Sequence, residues 1–136
     1  YHMRFVNELA GGTPILTDLP PDHSLSRDDG PHSNNAYVKA AVLERKEPQH
    51  VAWVNERDDG GRGFGFTGGH YHWNWGHSDF RTLVLNAIAW TAHADIPADG
   101  VPSKEITLDD LLANQDYDPP KEFNKARIEA LLREWN

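Results

Sequence analysis

The sequence predicts one domain in which β-strands and α-helices are mixed around a single core. Its 136 residues, 38% hydrophobic and 25% charged, are enough for such a core. Strand-like alternation on both sides of Asp58-Asp59-Gly60-Gly61 indicates a β-hairpin. Apolar residues at helical spacing from Phe80 onward indicate an amphipathic helix directly after it.

The charge of the chain argues against two classes of partner. Thirteen basic against 21 acidic residues give a formal net charge of −8, and Arg45-Lys46 is the one notable basic pair. Nucleic acid and anionic membrane surfaces are therefore poor partners. No apolar run approaches the roughly twenty residues that a membrane-spanning helix needs.

The sequence contains no cysteine, which excludes disulfides, thiolate zinc sites and a cysteine nucleophile within it. Any metal must then be held by imidazole and carboxylate groups. The sequence begins at Tyr1-His2-Met3, without an initiator methionine, so we expect it to be a piece of a longer protein.

The first third of the sequence predicts short extended segments and a long loop. Met3–Asn7 and Thr13–Leu16 resemble strands. The polar stretch Asp22–Asn35 predicts a loop whose length is a mild indication of function, such as a lid over a site. Periodicity leaves Ala36–Lys46 open as either a short helix begun at Asn35 or a strand.

Elements in the remainder follow from clearer patterns. The predicted hairpin joins His50–Arg57 to the strand Arg62–Thr67, and Ser78 or Asp79 caps a helix that ends near His93. Ala98–Ser103 resembles a linker, and Thr107 caps a short helix through about Asn114. The last helix is predicted from Pro119-Pro120 to Trp135, with one side formed by Phe123, Ala126 or Arg127, Ala130, Leu131 and Trp135.

The segment Arg62–His77, RGFGFTGGHYHWNWGH, is the strongest candidate for a site because it places histidines and aromatic rings directly behind a glycine-rich strand. If the chain stays extended past Gly69, its side chains alternate between two faces. A polar face would then carry His70, His72 and Asn74, and an aromatic face would carry Tyr71, Trp73, Trp75 and His77.

The aromatic residues of this segment indicate sugar binding. Flat rings such as those of Tyr71, Trp73 and Trp75 stack on the C–H faces of pyranoses, while histidine and asparagine side chains bind hydroxyl groups. The alternative is that two of the three rings fill the core next to the following helix.

The histidines allow two further interpretations. His70 and His72 would lie on one side of an extended chain, so they could bind a divalent metal such as zinc with His77 or a carboxylate as third ligand. His70 could instead act as a general acid or base, since an ordinary histidine titrates near neutral pH. The alternative to metal binding and to acid or base catalysis is structural: the histidine shapes the loop through hydrogen bonds.

Several stretches together resemble the ThuA-like (trehalose-utilisation) family of the class I glutamine amidotransferase-like superfamily. They are Tyr1–Phe5, Thr13–Thr17, Glu47–Trp53, Gly60–Trp75 and Asp79–Thr91. The block from Gly60 to Trp90 is the most specific part, and the resemblance covers most of residues 1–97.

The resemblance implies an α/β fold, a flavodoxin-like three-layer sandwich with a parallel sheet flanked by helices. It makes residues 1–97 the C-terminal portion of a ThuA-like domain whose N-terminal half is missing, and residues 98–136 a linker with a helical extension. His70 matches the family's Gly-His motif, and His2 lies in a segment expected near the active site. Without cysteine, amidotransferase chemistry is not expected.

Carbohydrate utilisation is the function that the resemblance implies, through acid or base chemistry by His70 on a disaccharide or keto sugar. We expect Tyr71, His72, Trp73, Asn74, Trp75 and His2 to bind the substrate. The alternative is a non-catalytic carbohydrate-binding or assembly module of a larger protein. A half-domain would also expose a strand edge, so a homo-oligomer or association with the missing N-terminal half is expected.

Overall fold

The computed structural model of the chain describes residues 12–26, 35–113 and 115–136. The chain forms two compact units, with the boundary between Gly68 and Gly69. The described residues form three strands and four α-helices. In chain order these are β1 (Gly12–Asp18), α1 (Ala36–Lys39), β2 (Gln49–Glu56), β3 (Arg62–Phe66), α2 (Ser78–Thr91), α3 (Leu108–Ala113) and α4 (Lys125–Trp135).

The first unit contains a three-stranded sheet in the order β1-β2-β3, in which both pairs of strands are antiparallel. The predicted hairpin is confirmed, since β2 and β3 pair from Ala52 opposite Phe66 to Glu56 opposite Arg62. Gly60 in the connecting turn has a φ of 83°, a conformation that favours glycine. Opposite Trp53, a side chain at Gly65 would overlap the indole ring, so glycine lets that ring lie across β3.

The segment that periodicity left open is helical. Its α1 continues as a π-helical turn over Ala40–Glu44, and the Asn35 side chain caps it by accepting hydrogen bonds from the backbone N–H groups of Tyr37 and Val38. The predicted strand at Thr13–Leu16 is confirmed within the longer β1, whereas Met3–Asn7 lies outside the described residues. Asp22–Leu25, in the predicted loop, forms a short 3₁₀ helix, and residues 27–34 of that loop lie outside the described residues.

The second unit has a small hydrophobic core in which Leu108 and Leu111 of α3 join Ile128 and Leu132 of α4. The helix predicted to begin at Ser78 or Asp79 is confirmed as α2, which ends at Thr91. The predicted cap is wrong, because the side chain of His77 caps the helix and Ser78 is its first residue. The helix predicted behind Thr107 is confirmed as α3.

The predicted start of the last helix is wrong. Its first residue is Lys125, and Asn124 caps it by accepting a hydrogen bond from the Arg127 backbone N–H at 3.0 Å. Residues before a proline avoid helical geometry, and after Pro120 the chain makes a turn at Lys121 and Glu122, in which the Pro120 carbonyl accepts from the Phe123 N–H. The predicted buried side is also wrong in part, because Ile128 and Leu132 are the buried residues of α4.

The observed architecture is mixed α/β, in agreement with the general fold class. The parallel sheet that the resemblance implies does not occur among the described strands, which are all antiparallel. The flavodoxin-like sandwich stays a prediction, as does the division at residues 97 and 98. Within the described part of the chain, no helix has the length and apolar character needed to cross a bilayer.

Candidate functional site

The backbone of the candidate segment turns instead of remaining extended. Two short 3₁₀ helices, Gly68–His70 and His72–Gly76, follow each other with Tyr71 between them. The Asn74 N–H donates to the Tyr71 carbonyl at 3.1 Å, and the His77 N–H donates to the Asn74 carbonyl at 3.0 Å. The expected two-faced extended strand is therefore wrong, because in a 3₁₀ helix residues three apart share a face.

His70 and Tyr71 form the exposed part of the segment. Their rings meet edge to face, with centroids 5.1 Å apart and an angle of 74° between the planes. Tyr71 keeps 59% of its surface exposed, so one face of an aromatic ring is available at the surface beside an imidazole.

His72 is half-buried and bound to α3. Its Nε2 atom lies 2.9 Å from the backbone carbonyl oxygen of Leu111, and its ring packs edge to face on Trp73 at 5.4 Å. A carbonyl oxygen only accepts hydrogen bonds, so we assign the proton to Nε2. This contact orients the loop, which is the structural role considered for a histidine here.

The two tryptophans of the segment have different surroundings. Trp73 packs against the core cluster of α3 and α4, with its ring 5.2 Å from that of Phe123. Trp75 is 40% exposed and rests edge to face on Phe80 at 5.0 Å. Trp75 is therefore the more accessible ring for a ligand.

His77 and Asn74 stabilise the end of the segment. The His77 Nδ1 atom accepts the Asp79 N–H at 3.2 Å and so caps α2, while its ring stacks on Trp135 at 5.4 Å. The Asn74 carbonyl accepts from His77, and its side chain is half-buried. His2, also predicted at the site, lies outside the described residues.

A cavity of about 380 Å³ opens beside this segment and is lined by six residues. His72 and Trp75 both reach it because they stand three residues apart on one 3₁₀ turn. Arg81 of α2 and Ile106, Asp110 and Leu111, from α3 and the residues before it, complete the lining. Its volume falls within the range of small-molecule sites.

Arg81 was not among the residues predicted from the sequence. It is only 6% exposed, its Nη1 donates to the Trp75 carbonyl at 2.9 Å, and its Nε donates to the Ser103 hydroxyl at 3.0 Å. The signal available in the sequence is its position at the edge of the apolar stripe of α2, three residues before Val84. A cationic side chain at the edge of an apolar stripe is expected to be at least partly buried.

Asp110 is held at the cavity by its own helix terminus. Its carboxylate accepts hydrogen bonds from the Lys104 ammonium at 2.7 Å, from the Thr107 N–H at 3.0 Å and from the Thr107 hydroxyl at 2.7 Å. The Asp110 N–H donates back to that hydroxyl, which completes a reciprocal cap of α3. The Lys104 ammonium and then the Thr107 N–H hold the pKa of the Asp110 carboxyl well below its usual range.

The described residues contain no group of three or more histidine, cysteine, aspartate or glutamate side chains able to hold a metal ion. The hydrogen bond to Leu111 also occupies the Nε2 atom of His72, which leaves Nδ1 for other contacts. A second cavity, of about 470 Å³, lies between α3 and α4 and is lined by charges of both signs. It contains none of the predicted site residues.

Comparisons of the chain with protein-family models, with curated proteins and with solved structures find no match.

Proposed function

We propose that this chain takes part in carbohydrate utilisation and acts on a disaccharide or keto sugar. The observation that carries the proposal is the cavity of about 380 Å³ beside Trp75. It combines an accessible indole ring with polar groups from His72, Arg81 and Asp110. An apolar ring next to a few fixed hydrogen-bonding groups is the composition that sugar sites use.

His70 is the residue we propose for acid or base chemistry. Its exposed ring is accessible to a substrate at the surface, and the neighbouring Tyr71 ring offers a stacking platform.

A non-catalytic carbohydrate-binding module is the second candidate, and one observation favours it. His70 is not among the six residues that line the cavity, whereas His72 is. The His72 Nε2 atom is already engaged with Leu111, so the histidine at the cavity orients the loop. Binding without turnover would follow from this arrangement.

Binding and turnover assays with trehalose and fructose separate the two candidates. Trp75→Ala and Tyr71→Ala should weaken binding of at least one sugar in calorimetric titrations, and Tyr117→Ala is the matched control because Tyr117 is 87% exposed and lies outside the cavity lining. His70→Ala should abolish turnover, with His23→Ala as the control for an exposed histidine.

Sugar binding that persists without turnover, in both the wild type and His70→Ala, would overturn the catalytic role and support the module. Absence of binding of any sugar, neutral or acidic, would count against both candidates.

The metal hypothesis and the expected partners remain proposals. A divalent ion such as zinc at His70 and His72 would require at least one ligand beyond these two. We also propose that the chain associates with a second copy or with a separate chain that carries the N-terminal half of a ThuA-like domain.

A further inference from the structure

The charge of Arg81 lacks a counter-ion in the described structure. In the described structure both hydrogen bonds of its guanidinium go to neutral acceptors, the Trp75 carbonyl and the Ser103 hydroxyl. The ion pairs formed by the described residues involve other cations, and none includes Arg81. A buried charge is costly unless it is paired and hydrogen-bonded.

The guanidinium of Arg81 has donors beyond those used in these two hydrogen bonds. A guanidinium has five N–H groups, and the two hydrogen bonds use two of them. One polar atom of the described side chains that are not exposed is buried from solvent and makes no hydrogen bond, and that atom is Gln49 Oε1. The Nη2 group of Arg81 is not such an atom, so it is at least slightly exposed, and Arg81 lines the cavity beside Trp75.

Asp110 lines the same cavity and is the obvious candidate to neutralise Arg81. Its carboxylate, however, accepts hydrogen bonds from Lys104 and from the backbone and hydroxyl of Thr107. Its ion pair in the described structure is with the Lys104 ammonium, at 2.7 Å. Asp110 is therefore not in ion-pair contact with Arg81, and Ile106 and Leu111 add apolar surface to the same cavity.

We propose that this cavity binds the anionic group of an acidic sugar, a carboxylate or a phosphate, with Arg81 as its counter-ion and Trp75 against the sugar ring. The planar fork of a guanidinium matches the oxygens of both groups. The inference rests on the proposed carbohydrate function and adds an acidic group to the sugar that the site would bind. Because the whole chain carries a formal charge of −8, an anion would need such a local cation.

Calorimetric titration of the full chain with four probes tests the inference: glucuronate, glucose 6-phosphate, glucose and inorganic phosphate. We expect at least one acidic sugar to bind at least about tenfold more tightly than glucose, as a charge-assisted hydrogen bond allows. The two acidic sugars distinguish a carboxylate ligand from a phosphate ligand.

Three variants complete the test. Arg81→Gln should remove the preference for acidic sugars, and Arg127→Gln should keep it because Arg127 is exposed on α4. Since Arg81→Gln also disturbs the contacts to Trp75 and Ser103, its fold must be checked by circular dichroism. Ile106→Phe fills the cavity while retaining Arg81, and it should weaken binding of the acidic sugars even if Arg81→Gln fails to fold.

Glucose binding as tight as that of both acidic sugars would overturn the inference and leave the proposed function intact. Retention of the preference in Arg81→Gln and in Ile106→Phe would also overturn it. Binding of inorganic phosphate that depends on Arg81, with no binding of any sugar, would support the anion site and overturn the proposed carbohydrate function.

Discussion

The imidazole Nε2 atom of His72 lies 2.9 Å from the backbone carbonyl oxygen of Leu111, a residue 39 positions further along the chain. This hydrogen bond joins the 3₁₀ turn His72–Gly76 to α3. It fixes the side of the turn on which Trp75 meets the cavity, since both residues share one face.

Replacement of His72 by alanine should destabilise the second unit. The change leaves a carbonyl of α3 without its partner and removes the ring contact to Trp73, so we expect a loss of about 1 to 2 kcal/mol in the free energy of unfolding. Urea unfolding followed by tryptophan fluorescence measures it. His23→Ala, an exposed histidine, should change stability by less than about 0.5 kcal/mol, and equal effects of both variants would contradict the role of the contact.

The reciprocal cap of α3 should make stability depend on pH at the acidic end. The folded pKa of Asp110 lies below its unfolded value of about 3.9, mainly because the carboxylate accepts from Lys104 and from the Thr107 N–H. The stabilisation is then complete above pH 4 to 5 and is lost as the pH falls toward the folded pKa. At pH 7 the wild type should unfold at a higher urea concentration than Asp110→Asn. The difference between their two midpoints should be smaller at pH 3.

The same comparison with Asp109→Asn provides a control. Asp109 is an exposed neighbour on α3 whose nearest cation, the Lys125 ammonium, is 3.6 Å away. A difference between wild type and Asp110→Asn that stays constant between pH 7 and pH 3 would show that the charge of Asp110 contributes nothing to the cap.

Gly76→Ala should destabilise the second unit through overpacking. A methyl group at this buried glycine would overlap the Leu132 side chain in the core cluster, so we expect a loss of about 1 to 3 kcal/mol. Gly69→Ala is the matched control, because a methyl group there would meet no atom within 4 Å. Thermal melting of both variants tests the prediction, and a Gly76→Ala melting temperature equal to that of Gly69→Ala would refute it.

Metal analysis of the purified protein decides the zinc hypothesis. If His70 and His72 bind a divalent ion, elemental mass spectrometry should find one ion per chain, and the double variant His70→Ala/His72→Ala should lose it. Wild-type protein that contains no metal but still turns over or binds sugar would contradict the zinc hypothesis. His70 and His72 would then serve in acid or base chemistry, stacking or loop orientation.

The order of the local elements was predictable because their determinants lie close together in the sequence. Alternation around Ala52, with Asp58–Gly61 as the turn, is sufficient for the hairpin. Helical spacing behind Ser78 is sufficient for α2. The start of α4 was missed because the same apolar residues fit a helix begun at Pro119, and the capping contact of Asn124 with Arg127 selects the later start.

The sequence by itself determined the composition of the site, with its histidines, tryptophans and tyrosine in one segment, and it determined the hairpin and α2 beside that segment. The tertiary structure decided which of these side chains face a common cavity. Two short 3₁₀ turns bring His72 and Trp75 to one cavity and leave His70 outside its lining. Arg81 is held there by its hydrogen bond to Ser103, and Asp110 lines the same cavity from α3. The physical reason is that periodicity encodes local backbone geometry, whereas hydrogen bonds between distant segments, such as that of His72 with Leu111, depend on how the helices pack.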